Sequence, residues 1–255
     1  MKEHIHTIPL TDAFQENDEC PFCFLERKLE EHTIDFVLGP GASYMEDDIR
    51  AQTDAAGFCR MHYKKLYDYG NRLGMGLILK THFKKLNEEL REQIQGYTPS
   101  HTSLMSRFKK IKAGPDTSAK PGLASWAASR EDSCYICNFY QKTFARYMDT
   151  FFEQFKKDTA FRETFAGSKG LCVPHFGDLV QAAETLPDSD KKAFMDVLLP
   201  LMQSNMERLY EELDWFCDKF DYRNRDADWK NSRDAIQRGM QKAAGGYPAL
   251  PPHTA

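Results

Sequence analysis

One four-ligand signature occurs twice in this chain. Cys20-Pro21-Phe22-Cys23 is followed by Cys59-Arg60-Met61-His62, and Cys134-Tyr135-Ile136-Cys137 is followed by Cys172-Val173-Pro174-His175. The stretch between the two halves differs by a single residue between the copies. The surroundings repeat as well. Gly57-Phe58 precedes one Cys-x-x-His and Gly170-Leu171 the other; Tyr63 follows the first and Phe176 the second. A long-period repeat of this kind marks an internal duplication.

The residue types point to a metal. In Cys-x-x-Cys two sulfurs can turn back onto one ion. In Cys-x-x-His the ligands stand one helical turn apart and share a face. Three thiols and one imidazole are the full tetrahedral donor set of a structural zinc site. Taken in chain order, the expected sets are Cys20, Cys23, Cys59 and His62, then Cys134, Cys137, Cys172 and His175. They use six of the seven cysteines. A thioredoxin-type redox pair needs a βαβ context that this sequence lacks, and it would leave Cys59 and His62 unexplained. A c-type haem site needs His directly after the second Cys, where Phe24 and Asn138 stand. The opening residues Met1 to His6 have no apolar segment of a secretory signal, so a reducing cytoplasmic setting is expected and disulfides are not. Two zinc ions per chain are the expected cofactor. An iron–sulfur cluster, which takes related donors, is the second reading.

Composition bounds the rest. At 255 residues, 41% of them hydrophobic, the chain can build one large core or two modest ones. The 18 Phe make aromatic packing the main resource for such a core. A formal charge of −4 disfavours generic nucleic-acid binding. No stretch approaches the ~20 apolar residues of a membrane span.

Hydrophobic spacing predicts an all-α, internally duplicated helical repeat with two zinc-knuckle-like Cys3His sites. Residues 1–96 form the first repeat, 97–128 a linker or surface insertion, 129–225 the second repeat, and 226–255 a last helix and tail. Residues 5–14 read as an extended arm, because Pro9 blocks a helix interior. A helix over 24–38 follows the first Cys pair, with Leu25, Leu29, His32 and Phe36 on one stripe. A short helix and one from Cys59 to Tyr69 come next. Leu79, Phe83, Leu86, Leu90 and Ile94 then mark a strongly amphipathic helix. In the second copy Tyr140, Phe144, Tyr147, Met148, Phe151 and Phe155 form the matching stripe, and Phe161 and Phe165 a short segment. Pro174 sits just inside a helix start, where proline is tolerated. A long helix follows Pro187, with Pro200 expected to kink it or set back its start. Pro, Gly, Ser and Thr crowd 97–128 around a basic run, Arg107 to Lys112, read as solvated. The last helix is expected near 232–243, with a disordered tail from Tyr247.

Several segments resemble a known family. Leu38-Gly-Pro, Tyr44-Met-Glu-Asp-Asp-Ile-Arg50, Gly57-Phe-Cys-Arg-Met-His-Tyr63, Asn71-Arg-Leu-Gly74, Thr81-His-Phe83, both metal signatures and Phe220-Asp-Tyr-Arg-Asn-Arg225 are similar to an uncharacterised domain-of-unknown-function family of bacterial proteins, best represented in anaerobic Gram-positive bacteria. The resemblance covers nearly the whole chain and implies a bacterial cytosolic setting. It implies no activity.

No catalytic residue is assigned. The sequence has no Gly-rich phosphate loop, nucleophile elbow or paired carboxylates at a distinctive spacing. Four protein ligands leave zinc no open position for water. The expected role is therefore a zinc-stapled module that binds an unidentified protein partner or regulates one, with a redox enzyme or thiol sensor as the alternative. Cys217, the spare cysteine, reads as a buried small hydrophobe. His32 and His82 read as core or interface histidines, and His4 and His6 as part of a mobile N-terminus. Partner identity and oligomeric state are not written in the sequence.

Overall fold

The computed structural model describes residues 6–97 and 122–246. Among them the chain forms eleven α-helices and no strand. They are α1 (Thr7–Gln15), α2 (Pro21–Leu38), α3 (Asp47–Ala56), α4 (Arg60–Tyr69), α5 (Arg72–Gln95), α6 (Leu123–Glu131), α7 (Tyr135–Lys157), α8 (Thr159–Ala166), α9 (Val173–Ala183), α10 (Asp188–Asp218) and α11 (Ala235–Ala244). The expected basic run at 107–112 and the tail from Tyr247 lie outside the described residues.

The helices gather into two compact units. One is built from the described residues of 31–139, the other from those of 1–30 and 140–255. The bounds of these units differ from those of the sequence repeats 1–96 and 129–225. Each unit takes the Cys-x-x-Cys half of one copy and the Cys-x-x-His half of the other. The helices α2 and α7, which begin at the Cys pairs, each contribute their first turns to one unit and the rest to the other.

The discontinuous unit is organised by phenylalanine. Phe22, Phe151, Phe165 and Phe194 are fully buried, with Phe14, Phe155 and Phe161 nearly so. Phe151 sits at the centre, edge-on to Phe22 (5.6 Å between centroids), Phe161 (5.7 Å), Phe165 (5.2 Å) and Phe194 (5.8 Å). Such geometry aligns the positive ring edge with a negative ring face. These rings come from α1, α2, α7, α8 and α10, so one cluster locks five helices. The continuous unit has a smaller aliphatic core of Ile34, Val37, Leu38, Leu66, Met75 and Ile78, closed by Phe58 and Ile136. There α3 and α4 pack along α5.

Several expectations are corrected. Residues 7–15 are a helix, not an extended arm. Pro9 falls in the first turn, where backbone N–H groups have no intrahelical acceptor to lose. On α2 the buried face runs through Leu25, Thr33, Ile34, Val37 and Leu38, and both His32 and Phe36 are exposed. The 3.6-residue period drifts around a long helix, so a stripe extrapolated from one end misses the other. On α5 the buried face is Gly74, Met75, Ile78 and His82, while Phe83 and Ile94 are more than half exposed. The helix α10 begins at Asp188, so Pro200 does not set back its start. Residues 123–128, at the end of the expected linker or surface insertion, are helical and belong to α6. Cys217 is exposed.

Truncating Phe151 to Ala should cost about 3–5 kcal/mol, because neighbouring rings cannot collapse into so large a void. Truncating exposed Phe83 should cost about 0.5 kcal/mol or less. Urea unfolding of both variants checks this. Equal losses would mean that the ring cluster is not the dominant core.

Candidate metal centres

Every half-site stands at a helix N-terminus. Cys20, Cys59, Cys134 and Cys172 each precede a helix, and Cys23, His62, Cys137 and His175 follow one turn in. The arrangement points unsatisfied N–H groups and the positive end of the helix dipole at the sulfurs, which favours thiolate. Two contacts show it directly. The Cys137 N–H donates to Cys134 Sγ at 3.5 Å, and the His175 N–H to Cys172 Sγ at 3.4 Å. Just before each Cys-x-x-His the chain reverses at a glycine with positive φ, +58° at Gly57 and +72° at Gly170. At Gly57 a Cβ would also lie 2.6 Å from His82 Nε2, so no side chain fits there. His82 is buried, as expected, and its Nδ1 lies 2.8 Å from the Asp54 carbonyl oxygen.

The half-sites close across the duplication. One cluster holds Cys20, Cys23, Cys172 and His175; the other holds Cys59, His62, Cys134 and Cys137. Within each, the four ligand atoms lie within 4.8 Å of one another. This corrects the chain-order pairing. In the first cluster His175 Nδ1 lies 3.4, 3.5 and 3.1 Å from the sulfurs of Cys20, Cys23 and Cys172, and Cys23 and Cys172 are 3.6 Å apart. In the second, His62 Nδ1 lies 3.2, 3.3 and 3.4 Å from Cys59, Cys134 and Cys137, with Cys59 and Cys137 3.9 Å apart. Disulfide sulfurs are about 2.05 Å apart, so these are not disulfides. A tetrahedral ion with bonds of about 2.3 Å to sulfur and 2.0–2.1 Å to nitrogen would set the S···S edges near ~3.8 Å and the S···N edges near ~3.5 Å. The donor atoms fit that cage. One imidazole nitrogen cannot hydrogen-bond three sulfurs at once, whereas a central cation satisfies all four donors.

The surroundings of the two clusters differ. The first is sealed: its three cysteines are fully buried and His175 is 5% exposed. Phe22 and Phe144 cover the imidazole, with ring centroids 5.7 and 5.2 Å away. His175 Nε2 meets Glu26 Oε1 at 3.1 Å, and the Tyr140 hydroxyl donates to the same oxygen. A carboxylate there orients the ring and makes Nδ1 a better ligand. In the second cluster Cys59 and Cys137 are half-buried.

Burial opposes a charge on His175, but hydrogen bonds to Cys172, Cys20 and Glu26 outweigh it and push the imidazole up to about 12. Hydrogen bonds from Cys20 and Cys23 hold Cys172 well below the ordinary thiol range, while Cys23 is pushed up by its bonds to Cys172 and Cys20. At the second cluster burial raises Cys134, yet His62 and the nearby backbone N–H groups bring it down to about 6, and burial beside two other thiols pushes Cys137 up. Three sulfurs this close cannot all ionise without a cation. A divalent ion lets them do so.

All eight expected residues therefore fall in the two clusters, and Cys217 falls in neither. His6 packs edge-on against Tyr147 at 5.2 Å, and His4 lies outside the described residues. Sequence reading missed Glu26 and Tyr140. Each stands three residues past the second Cys of a pair, a helical spacing that could have flagged them.

A family model described as "Family of unknown function (DUF6062)" matches residues 1–250. The chain belongs to this family. No curated protein and no solved structure matches it. The DUF6062 match includes both metal signatures and every segment on which the sequence resemblance rested.

The crossed pairing makes a decisive pair of variants. Cys20→Ser/Cys172→Ser breaks one cluster and should leave one equivalent of metal, whereas Cys20→Ser/Cys59→Ser breaks both and should leave none. Pairing in chain order demands the reverse. Elemental analysis of the purified proteins distinguishes the two.

Proposed function

We propose that each cluster holds one zinc ion as a closed structural staple, and that this DUF6062 protein is a helical module that works by binding a protein partner rather than by catalysis. One observation carries this reading: three sulfurs and one imidazole nitrogen converge at each cluster at separations that suit a tetrahedral metal shell. With four protein ligands the ion has no open position at which to activate water. A cytoplasmic setting is part of the proposal, because six thiols must stay reduced to bind metal. Among the described residues no helix is long and apolar enough to cross a membrane.

The second reading is an iron–sulfur or thiol-based redox centre or sensor. The only partly buried Cys59 and Cys137 support it, since oxidants can reach them more readily than the sealed cysteines of the first cluster. Metal analysis of untagged protein with an absorption spectrum separates the two. Colourless protein containing zinc supports the staple; brown protein containing iron supports redox chemistry.

Structural zinc contributes on the order of 10–16 kcal/mol in small peptide systems, as much as or more than the usual 5–15 kcal/mol net stability of a domain. Strong chelation under reducing conditions should therefore lower Tm sharply and abolish protease resistance, and added zinc should restore both. An apo-protein that keeps its Tm but loses a measurable turnover would overturn the proposal. Thiol counting gives an independent check. The loaded protein should show one fast-reacting thiol, Cys217, and the chelated protein all seven.

A further inference from the structure

Resting on the staple reading, we propose that Lys242 of the C-terminal helix is the latch of the first cluster, tying its two half-sites together and holding its thiols closed. The reason lies in a difference between the two copies. In the second cluster the half-sites are joined by backbone: the Tyr135 N–H, inside the Cys pair, donates to the carbonyl of Gly57, just ahead of the Cys-x-x-His, at 2.9 Å. The residue matching Tyr135 in the first cluster is Pro21, which has no N–H to give. The same tie cannot form there.

Lys242 supplies a replacement. Its side chain is 1% exposed. Its ammonium donates to the carbonyl of Glu19, the residue before Cys20, at 2.6 Å. It also donates to the carbonyl of Lys169, three residues before Cys172, at 2.6 Å. The third contact is Glu19 Oε2 at 3.1 Å. An ammonium has three donors, and all three are used. One cation thus bridges the approach to the Cys pair and the approach to the Cys-x-x-His.

The rest of α11 reinforces it. The adjacent Gln241 amide donates to Asp18 Oδ1 at 2.6 Å, and that same oxygen accepts the Cys20 N–H at 2.9 Å. Past the helix end, a Cβ on Gly245 would lie 3.4 Å from Cys172 Sγ and 3.8 Å from Cys23 Sγ, so the chain lies directly against the thiols. Arg208 and Arg238 hold the Glu19 carboxylate in place at 2.6 and 3.2 Å. A zinc ion with three thiolates carries one net negative charge, and Lys242 places a buried positive charge beside it. It is a positioning residue, since it touches the residues that lead into the ligands and not the ligand atoms.

The second cluster is the internal control. Zinc release from the full-length loaded protein is followed with a chromophoric chelator. The phase from the first cluster is identified by its absence in Cys20→Ser/Cys172→Ser. Lys242→Met should speed that phase by about 10–100-fold, the scale on which outer-shell partners act, and leave the other phase unchanged. Lys242→Gln, which keeps two N–H donors but no charge, provides a milder variant should the first not fold, and it should fall between. Equal acceleration of both phases would show general loosening and overturn the latch, as would no change in either. A wild-type protein that purifies without zinc and takes up none would overturn the staple reading itself, a result distinct from unchanged release.

Discussion

The structure depends on the meeting of two helix N-termini around a shared set of sulfurs and one imidazole. Each terminus alone would leave backbone N–H groups and ionisable thiols unsatisfied in a buried place. Brought together, the two termini and their four donors can be satisfied by one cation. In the first cluster this joins sulfurs 149 positions apart, and in the second 78. Closing such loops is entropically unfavourable, but the cost grows only with the logarithm of length. A strong local bond at either end is enough to offset it.

The phenylalanine core and the first cluster are one continuous object. Phe22 lies between the two cysteines of its pair, contacts the His175 ring, and reaches Phe151 at the centre of the core. Packing thus fixes the ligand loop, and the ligand loop fixes the start of α2. Charge is managed just as closely. Glu19 is 1% exposed and is met by Arg208, Arg238 and Lys242; burial raises its carboxyl, but Arg208 and Lys242 outweigh that and hold it below the usual range. A buried carboxylate so surrounded is tolerable because its hydrogen bonds are complete.

Duplication supplied identical ligands, yet the copies have diverged in what encloses them. The first cluster is sealed by aromatic rings, a carboxylate behind its histidine and a C-terminal helix. The second relies on a direct backbone bond and leaves two cysteines half-buried. Identical donors in unequal enclosures should exchange metal at unequal rates, because a ligand must meet water or a competitor before it leaves the ion.

The sequence by itself picked out the eight Cys and His residues that gather into the two clusters, the helical class and most helix positions. Those signals are local: a Cys-x-x-His shows its chemistry within one turn, and apolar spacing shows a helix within three. It also placed Phe151, Phe155 and Phe165 on buried stripes. Pairing was beyond it. Joining Cys23 to Cys172 instead of to Cys59 adds only about 1 kcal/mol of loop entropy, so proximity in the chain carries little weight. What decided the matter is which unit each half-site belongs to. Helix α2 continues from Cys23 to Leu38, and by Glu31 the chain has passed into the unit that also holds Cys59 and His62. Cys59 and His62 meet the other copy's cysteines there instead. The exposure of His32, Phe36 and Cys217 was equally illegible, because which face of a helix is buried depends on what packs against it. So was the role of Lys242, a helical lysine like any other until tertiary structure places two carbonyls and a carboxylate around its ammonium.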